Sequence, residues 1–400
     1  MARIALVVPA LSETGGGVSH VANFLRRQIR TKTDFDLRII SLSMSSTDDC
    51  SLLLHRPRSW FGGVATRAGT FYGEPFAHVG ALLGDIEFQR LRPRRALAAL
   101  LADCDLIQIV CGTPCWALPV LGLGKPISLQ VASLTSVERR AKHRASKGLL
   151  GLWQRAMAAI VTVLDDRALK QVDAVQVENQ WMLAHAKKIA TDAIVDYATP
   201  GVQTGLFTPV AERDIAGGYI LSVGRLNDPR KNVGLLLEAY AKLTARHARG
   251  PDLVLAGNNG PDTPFWQRVE ELGLTGQVRF VENPSQEEVA ELYRHAQSFA
   301  LASDEEGFGI VVIEAMASGI PVVSTRSGGP DGIICDGEDG FLVDRDDADA
   351  LADRLFVLSS NLALNRDMGR KARVKAEQRY DENVTGAVFL RVYKSLLGDF

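Results

Sequence analysis

The sequence lacks most of the features that assign a protein quickly, and each absence removes a class. Cysteine is scarce: there are five in 400 residues. An odd count, with Cys111 and Cys115 too irregularly placed among the others for a zinc ribbon, points to structural thiols in a reducing compartment. An excess of one charge is also missing, because 45 Lys and Arg stand against 47 Asp and Glu. A net charge of −2 gives no global pull toward nucleic acid or anionic membrane, so no nucleic-acid partner is expected and any membrane attraction has to be local. No apolar run is long enough to cross a bilayer: residues 149–164 are interrupted by Gln154 and Arg155. The apolar residues after Arg3 run straight into Gly15, Gly16 and Gly17, which fits a first strand better than a signal segment. That glycine run also lacks the spacing of the dinucleotide fingerprint, which sets aside a Rossmann-type oxidoreductase. Asp-x-Asp triplets at 34–36 and 344–346 lie off the glycine loops, so no metal and no cofactor is expected.

What is present suits a chain of two domains. A chain of 400 residues exceeds a typical single core, and 46% hydrophobic with 23% charged residues is ordinary for a globular protein. Strand-like runs at 4–8, 36–42, 106–110, 127–131 and 174–177 alternate with helical patterns at 18–29 and 90–101, as a doubly wound sheet requires. Residues 43–84 carry no readable pattern. A turn-rich segment at 196–209 marks the junction, and a second alternating series begins at Tyr219. The last apolar helical face covers 381–397.

The chain is organised around residues 303–319, Ser-Asp-Glu-Glu-Gly-Phe-Gly followed by an apolar helix over 310–317. A strand precedes this loop and another follows the helix, so it lies at the carboxyl edge of a parallel sheet, where open α/β folds hold ligands. Glu306 and Glu314 frame it as acceptors for hydroxyls, while the N–H groups of Gly309, Ile310 and Val311 face an anion. Hydroxyls on both sides of a phosphate describe a nucleotide sugar. Read alone, Glu305 and Glu306 serve equally well as acids favouring a helix N-terminus. Arg225 and Lys231, on either side of a Pro-containing loop after Gly224, offer two cations for a diphosphate.

The run Glu-Gly-Phe-Gly-Ile-Val-Val-Ile-Glu-Ala-Met-Ala-Ser-Gly-Ile-Pro-Val-Val resembles the Glu-x7-Glu segment of retaining glycosyltransferases of family 4. Gly-Arg-Leu-x5-Lys-Asn resembles that family's diphosphate-binding segment. Residues 326–332 resemble its Gly-Gly-x-x-Glu segment, with Gly328 and Gly329 bordering the sugar and Asp331 near the Glu position. The resemblance implies a GT-B fold: two Rossmann-like doubly wound parallel-sheet domains facing a cleft, with a C-terminal helix crossing back to the first. The expected bounds are 1–204 for the acceptor-side domain, 205–380 for the donor-binding domain and 381–400 for the returning helix. It implies transfer of a hexosyl group, with retained configuration, from a UDP- or GDP-sugar to a saccharide or lipid-linked saccharide in polysaccharide or glycoconjugate synthesis. Glu306, Arg225 and Lys231 take the catalytic roles. Gly16, Gly17, Gly224, Phe308, Gly309, Ile310, Val311 and Glu314 are implied on the donor, Glu314 at its ribose.

Three departures qualify the resemblance. Ala132 stands where many members carry a histidine near the reacting centre, leaving Ser133 or Gln130 and His20 as acceptor-side candidates. Pro200 and Gln203 replace the usual Asn and Asp of the linker. A catalytically weak or inactive sugar-nucleotide-binding scaffold therefore stands as the alternative. The basic run Arg139, Arg140, Lys142, Arg144 and Lys147, followed by Trp153, suits either peripheral contact of residues 139–153 with an anionic membrane or a solvated helix. The expected location is cytoplasmic, with peripheral attachment at the inner face of the membrane as an option.

Overall fold

The computed structural model describes residues 2–13, 16–138, 148–211, 214–246 and 250–398, with side chains described throughout except at 148–158. The chain forms two compact units, Met1–Pro200 with Thr385–Phe400, and Gly201–Val384.

Among the described residues the first unit carries eight strands: β1 (Arg3–Pro9), β2 (Asp36–Leu42), β3 (Thr66–Phe71), β4 (Glu74–Val79), β5 (Leu106–Cys111), β6 (Ile127–Val131), β7 (Ala174–Val177) and β8 (Ile194–Tyr197). They pair in the order β3-β4-β2-β1-β5-β6-β7-β8, parallel except for the β3–β4 hairpin. Continuous apolar runs such as residues 4–8, fully buried, are what a sheet covered on both faces demands. The helix Gly17–Lys32 turns Val21, Phe24, Leu25 and Ile29 inward at helical spacing. From Thr385 onward the last helix, Glu382–Leu397, belongs to this first unit. Phe389 meets Phe24 edge to face at 5.7 Å. A Cβ at Gly386 would lie 2.3 Å from Gln28 Oε1, so glycine sets how closely this helix packs.

The structure corrects the sequence reading at three places. The unpatterned residues 43–84 contain the 3-10 turn Pro57–Phe61 and the β3–β4 hairpin. β3 is mostly exposed, which erased its apolar alternation. The helix expected over 90–101 is broken: a 3-10 turn, Glu87–Leu91, precedes an α-helix, Arg95–Leu101. Pro93 lies between them, lacking an N–H and disfavouring helical geometry at Arg92. The apolar face expected over 381–397 is not buried throughout, since Val384 within it is 47% exposed.

The second unit carries β9 (Tyr219–Val223), β10 (Leu253–Gly257), β11 (Val278–Glu282), β12 (Ala296–Leu301), β13 (Val322–Thr325) and β14 (Gly340–Val343). All pairs are parallel, in the order β11-β10-β9-β12-β13-β14, between two apolar clusters. The chain builds outward from β9 on one side, then restarts with β12 on the other. That reversal makes the carboxyl ends of β9 and β12 the switch point of the sheet, where open α/β folds hold ligands. At the start of this unit Val202 N–H donates to Tyr380 O at 2.8 Å, and the Thr204 hydroxyl donates to Asp381. The linker thus keeps polar anchors despite Gln203.

Candidate active site

The loop after β9 begins at Gly224, whose φ of +157° is near-extended, and Lys231 Cε passes 3.7 Å from where its Cβ would be. Asp228 caps the 3-10 turn Pro229–Lys231 through Arg230 N–H and holds the Arg230 guanidinium at 2.7 Å and that of Arg225 at 3.4 Å. Burial opposes ionisation of Asp228, but the Arg230 hydrogen bonds outweigh it and bring the carboxyl down to about 2. Asn232, in the left-handed region at φ +44°, accepts from Leu235 N–H and opens the helix Val233–Thr244. Its Nδ2 donates to Asp304 Oδ1 at 2.8 Å, which pins the β9 loop to the β12 loop.

Lys231 and Glu306 meet at the switch point. Lys231 Nζ lies 2.5 Å from Glu306 Oε1, with side chains only 15% and 11% exposed. The Ser303 hydroxyl donates to the same oxygen at 2.7 Å. The backbone of Glu306 is held as an extra bridge to the next loop: its N–H donates to Ser327 O at 2.8 Å and its carbonyl accepts from Gly329 N–H at 2.9 Å. Gly329 has no room for a side chain, because a Cβ would stand 2.0 Å from Phe308 O. Asp331 Oδ2 accepts from Gly328 N–H at 2.7 Å. Gly328, Gly329 and Asp331 therefore brace the loop that carries Glu306.

Gly309, at φ +102°, opens the helix Ile310–Ala317 with no side-chain cap. Its first N–H groups are thus left to whatever lies above them. Phe308 is a core residue, 3% exposed and packed on Tyr380 at 6.0 Å, so its backbone and not its ring borders the site. Glu314 lies one turn inside, 5% exposed, and accepts from the Tyr293 hydroxyl at 3.2 Å. Burial raises its carboxyl to about 8 against the opposing effect of that hydrogen bond, so its proton is mostly retained at neutral pH. Tyr293 also donates to Val311 O at 3.1 Å. Sequence reasoning missed Tyr293, Ser303 and Asn232 as parts of the site. The spacing of Ser303 to Glu306 was a usable signal, whereas Tyr293 lies on a separate helix, Gln286–His295.

In the first unit the candidates are less tightly joined. Gly16 precedes the helix Gly17–Lys32, and its carbonyl accepts from the N–H groups of Ser19 and His20. A Cβ at Gly17 would meet nothing within 4 Å. His20 is half-buried, yet desolvation first and Arg27 second bring its imidazole down to about 4, so it is neutral at physiological pH. Ser133 donates its N–H to Gly112 O at 2.9 Å, and its buried hydroxyl has no partner. Ala132 O accepts from Asn179 Nδ2 at 2.8 Å. Gln130 donates to Glu178, whose carboxyl burial raises to about 7, opposed by that bond.

Among the described residues one group has metal-ligand composition, Asp48, Cys50 and His78 of the first unit. Its members hydrogen-bond one another and nearby serines: His78 Nε2 lies 3.1 Å from Asp48 Oδ1 and Nδ1 3.1 Å from Ser41 Oγ. The membrane contact expected at 139–153 falls outside the residues whose side chains are described. Among the described residues no helix is long and apolar enough to cross a membrane.

Residues 214–375 match the family model of glycosyl transferases group 1. Over 221 residues the chain is 34% identical to the D-inositol 3-phosphate glycosyltransferase of Corynebacterium urealyticum, covering 51% of this chain and 52% of that protein. The chain thus spans about half the length of the curated relatives it matches. Among solved structures it resembles sucrose-phosphate synthase from Thermosynechococcus elongatus, with a TM-score of 0.74 and 19% identity over 99% of both chains. It also resembles Anabaena HepE in complex with UDP-glucose, with a TM-score of 0.69 and 15% identity over 98% of this chain and 99% of that one.

Proposed function

We propose, for a chain with the GT-B fold whose residues 214–375 are a glycosyltransferase group 1 domain, that it is a retaining hexosyltransferase using a nucleotide-diphosphate sugar. The observation that carries this reading is the Lys231–Glu306 pair at the switch point of the second sheet. A nucleotide sugar offers each member a new partner: phosphate oxygens for the ammonium and sugar hydroxyls for the carboxylate. Arg225, held near by Asp228 and half-exposed, adds a second cation, and the uncapped start of the helix Ile310–Ala317 adds backbone donors. The HepE structure is a complex with UDP-glucose, a donor of the same class.

In the proposed reaction the bond from the sugar's anomeric carbon to the diphosphate oxygen breaks as the acceptor oxygen bonds to the same face of that carbon. The acceptor's proton passes to the departing diphosphate, so no covalent nucleophile is required. Lys231, Arg225 and the helix N–H groups stabilise the charge gathering on that diphosphate, and Glu306 fixes the sugar. Glu314 is proposed at the ribose, where its protonated carboxyl both donates and accepts. These cations supply the countercharge, and the reaction is proposed to need no metal. The acceptor is proposed to be a saccharide or lipid-linked saccharide.

The test is a thermal-shift titration of wild type and Arg225→Ala/Lys231→Ala with UDP, GDP and ADP. A ligand that binds only the folded state adds about 2.7 kcal/mol at 100 times its dissociation constant. A shift with one nucleotide that disappears in the double variant supports the donor site and names the base. No shift with any nucleotide in folded protein overturns it. Ala132, a methyl group where related enzymes place a histidine, favours one second reading, a non-catalytic binding protein, which predicts the shift without turnover.

A further inference from the structure

The first unit holds a group of metal-ligating side chains that the sugar-transfer chemistry does not use. Asp48 and Cys50 lie on the loop after β2 and His78 lies on β4, and the carboxylate oxygen, sulfur and ring nitrogen that they offer all fall within 4.8 Å of one another. All three are turned inward: the side chains of Asp48 and His78 are 9% and 13% exposed, and Cys50 is buried. The neighbouring Asp49 is 76% exposed, pairs with Arg56 and stays outside the group.

The backbone places these side chains. Ser41 of β2 stands opposite His78 of β4 in register, and its Oγ lies 3.1 Å from His78 Nδ1. With Nδ1–H donated to that hydroxyl, the lone pair of Nε2 is aimed toward Asp48 Oδ1, 3.1 Å away, and such an outer partner is what orients a metal-binding imidazole. The loop is clamped to the end of β4. Ala81 N–H donates to Ser51 Oγ at 2.8 Å, Leu52 N–H donates to Ala81 O at 3.0 Å, and a Cβ at Gly80 would stand 1.8 Å from Cys50 O. Ser51 Oγ in turn donates to Asp48 Oδ2 at 2.5 Å. These hydrogen bonds occupy the carboxylate and the imidazole, but they give no reason for a free thiol brought beside both.

A tetrahedral zinc ion, with bonds of about 2.0 Å to oxygen or nitrogen and about 2.3 Å to sulfur, holds its ligand atoms roughly 3.3 to 3.6 Å apart, which is the scale of this group. One thiolate and one carboxylate cancel the charge of a divalent ion. Arg67, opposite His78 on β3, and Arg94, close enough to act on the charge of Asp48, therefore do not oppose it. Sulfur and imidazole together select the zinc class over magnesium or calcium, which take six or more oxygens. Asp48 and His78 also line a surface cavity of about 440 Å³ with Ser45, Thr47 and Arg67, which gives an ion a way in and a fourth ligand its place.

We propose that Asp48, Cys50 and His78 bind a zinc-class divalent ion that ties the loop after β2 to β4, with water or an exchangeable ligand in the fourth position. Binding releases the thiol proton of Cys50 to solvent. The site does not depend on the nucleotide-sugar reading, and the ion is assigned no part in the transfer reaction. The experiment is a titration of the full chain, stripped with chelator and kept reduced, with cobalt(II) standing in for zinc. One equivalent is expected to bring up a thiolate-to-cobalt charge-transfer band and the visible bands of four-coordinate cobalt, displaced by zinc and untouched by magnesium. Cys50→Ser is expected to abolish the charge-transfer band. His78→Ala is expected to weaken zinc binding at least about a hundredfold, against roughly tenfold for Ser41→Ala, which removes only the outer partner. Cys335→Ser, at the exposed cysteine of the second unit, is expected to leave the titration unchanged. Absence of the charge-transfer band in folded wild type overturns the proposal, and this titration decides even where a variant fails to fold. A band that survives Cys50→Ser, or that disappears in Cys335→Ser, overturns it as well.

Discussion

The carboxyl edges of the two sheets are built to different degrees of completeness. In the second unit the loops after β9, β12 and β13 are bonded to one another: Lys231 to Glu306, Asn232 to Asp304, Glu306 to Ser327 and Gly329. In the first unit Gly17 has empty space where a side chain would be, and Ser133 keeps an unpartnered hydroxyl. One edge is preorganised by its own contacts, and the other leaves groups to be satisfied by something else. Charge stabilisation needs fixed groups, because dipoles that must reorganise during a reaction give back what they contribute. Recognition of an acceptor tolerates a looser surface.

The largest expected effect tests whether fixed charge sits only on the second unit. Lys231→Ala should lower transfer by about a thousandfold, the scale seen when one stabilising donor or cation is removed. It also leaves the mostly buried Glu306 carboxylate with Ser303 as a remaining partner, so a stability loss of about 2 kcal/mol should appear in urea unfolding. His20→Ala in the first unit should cost less than about tenfold, because a neutral imidazole supplies no charge. Steady-state rates with the nucleotide sugar identified by thermal shift decide this. An effect of His20→Ala as large as that of Lys231→Ala breaks the comparison.

Glycines sharpen it at the next level. Gly329→Ala drives a methyl group into Phe308 O, so backbone must move; a loss of about 3 kcal/mol and weakened nucleotide binding are expected. Gly17→Ala meets nothing and replaces glycine at a helix start, so stability should change by less than about 1 kcal/mol in either direction. If Gly17→Ala nevertheless raises the KM for donor without moving Tm, the empty space at Gly17 belongs to a ligand.

The same contrast explains what was legible in the sequence. The second unit's site lies in three short segments, each following a strand, so Arg225, Lys231, Glu306 and Gly309 could be picked out with their strands even though Lys231 and Glu306 stand 75 residues apart in the chain. Its braces were harder to see. Tyr293 reaches Glu314 from another helix, and Gly329 is required by a contact with Phe308 that no local pattern encodes. The ring of Phe308, a residue implied on the donor, is buried against Tyr380, a contact across the fold that no local pattern announces. In the first unit, residues 43–84 defeated pattern reading because an exposed edge hairpin has little apolar alternation, and Pro93 split a helix that periodicity alone had extended.

The smallest expected effect concerns two buried carboxyls, one in each unit. Glu314 is raised to about 8 and Glu178 to about 7, both first by burial. A raised folded-state pKa means that the folded protein holds a proton the unfolded chain releases near pH 4.5. Stability from either group is therefore complete below that pH and is lost as pH rises through 7 to 8. Replacing each by glutamine, which keeps the shape and cannot ionise, should flatten the decline in urea midpoint between pH 5 and pH 8 by an amount on the order of 2 kcal/mol. Both substitutions should share this signature, since burial is the cause in both. Only Glu314→Gln should also change nucleotide affinity, because only Glu314 is assigned to the donor's ribose. Equal effects of the two on affinity would remove Glu314 from the donor site and leave it, with Tyr293, as a support of the helix Ile310–Ala317.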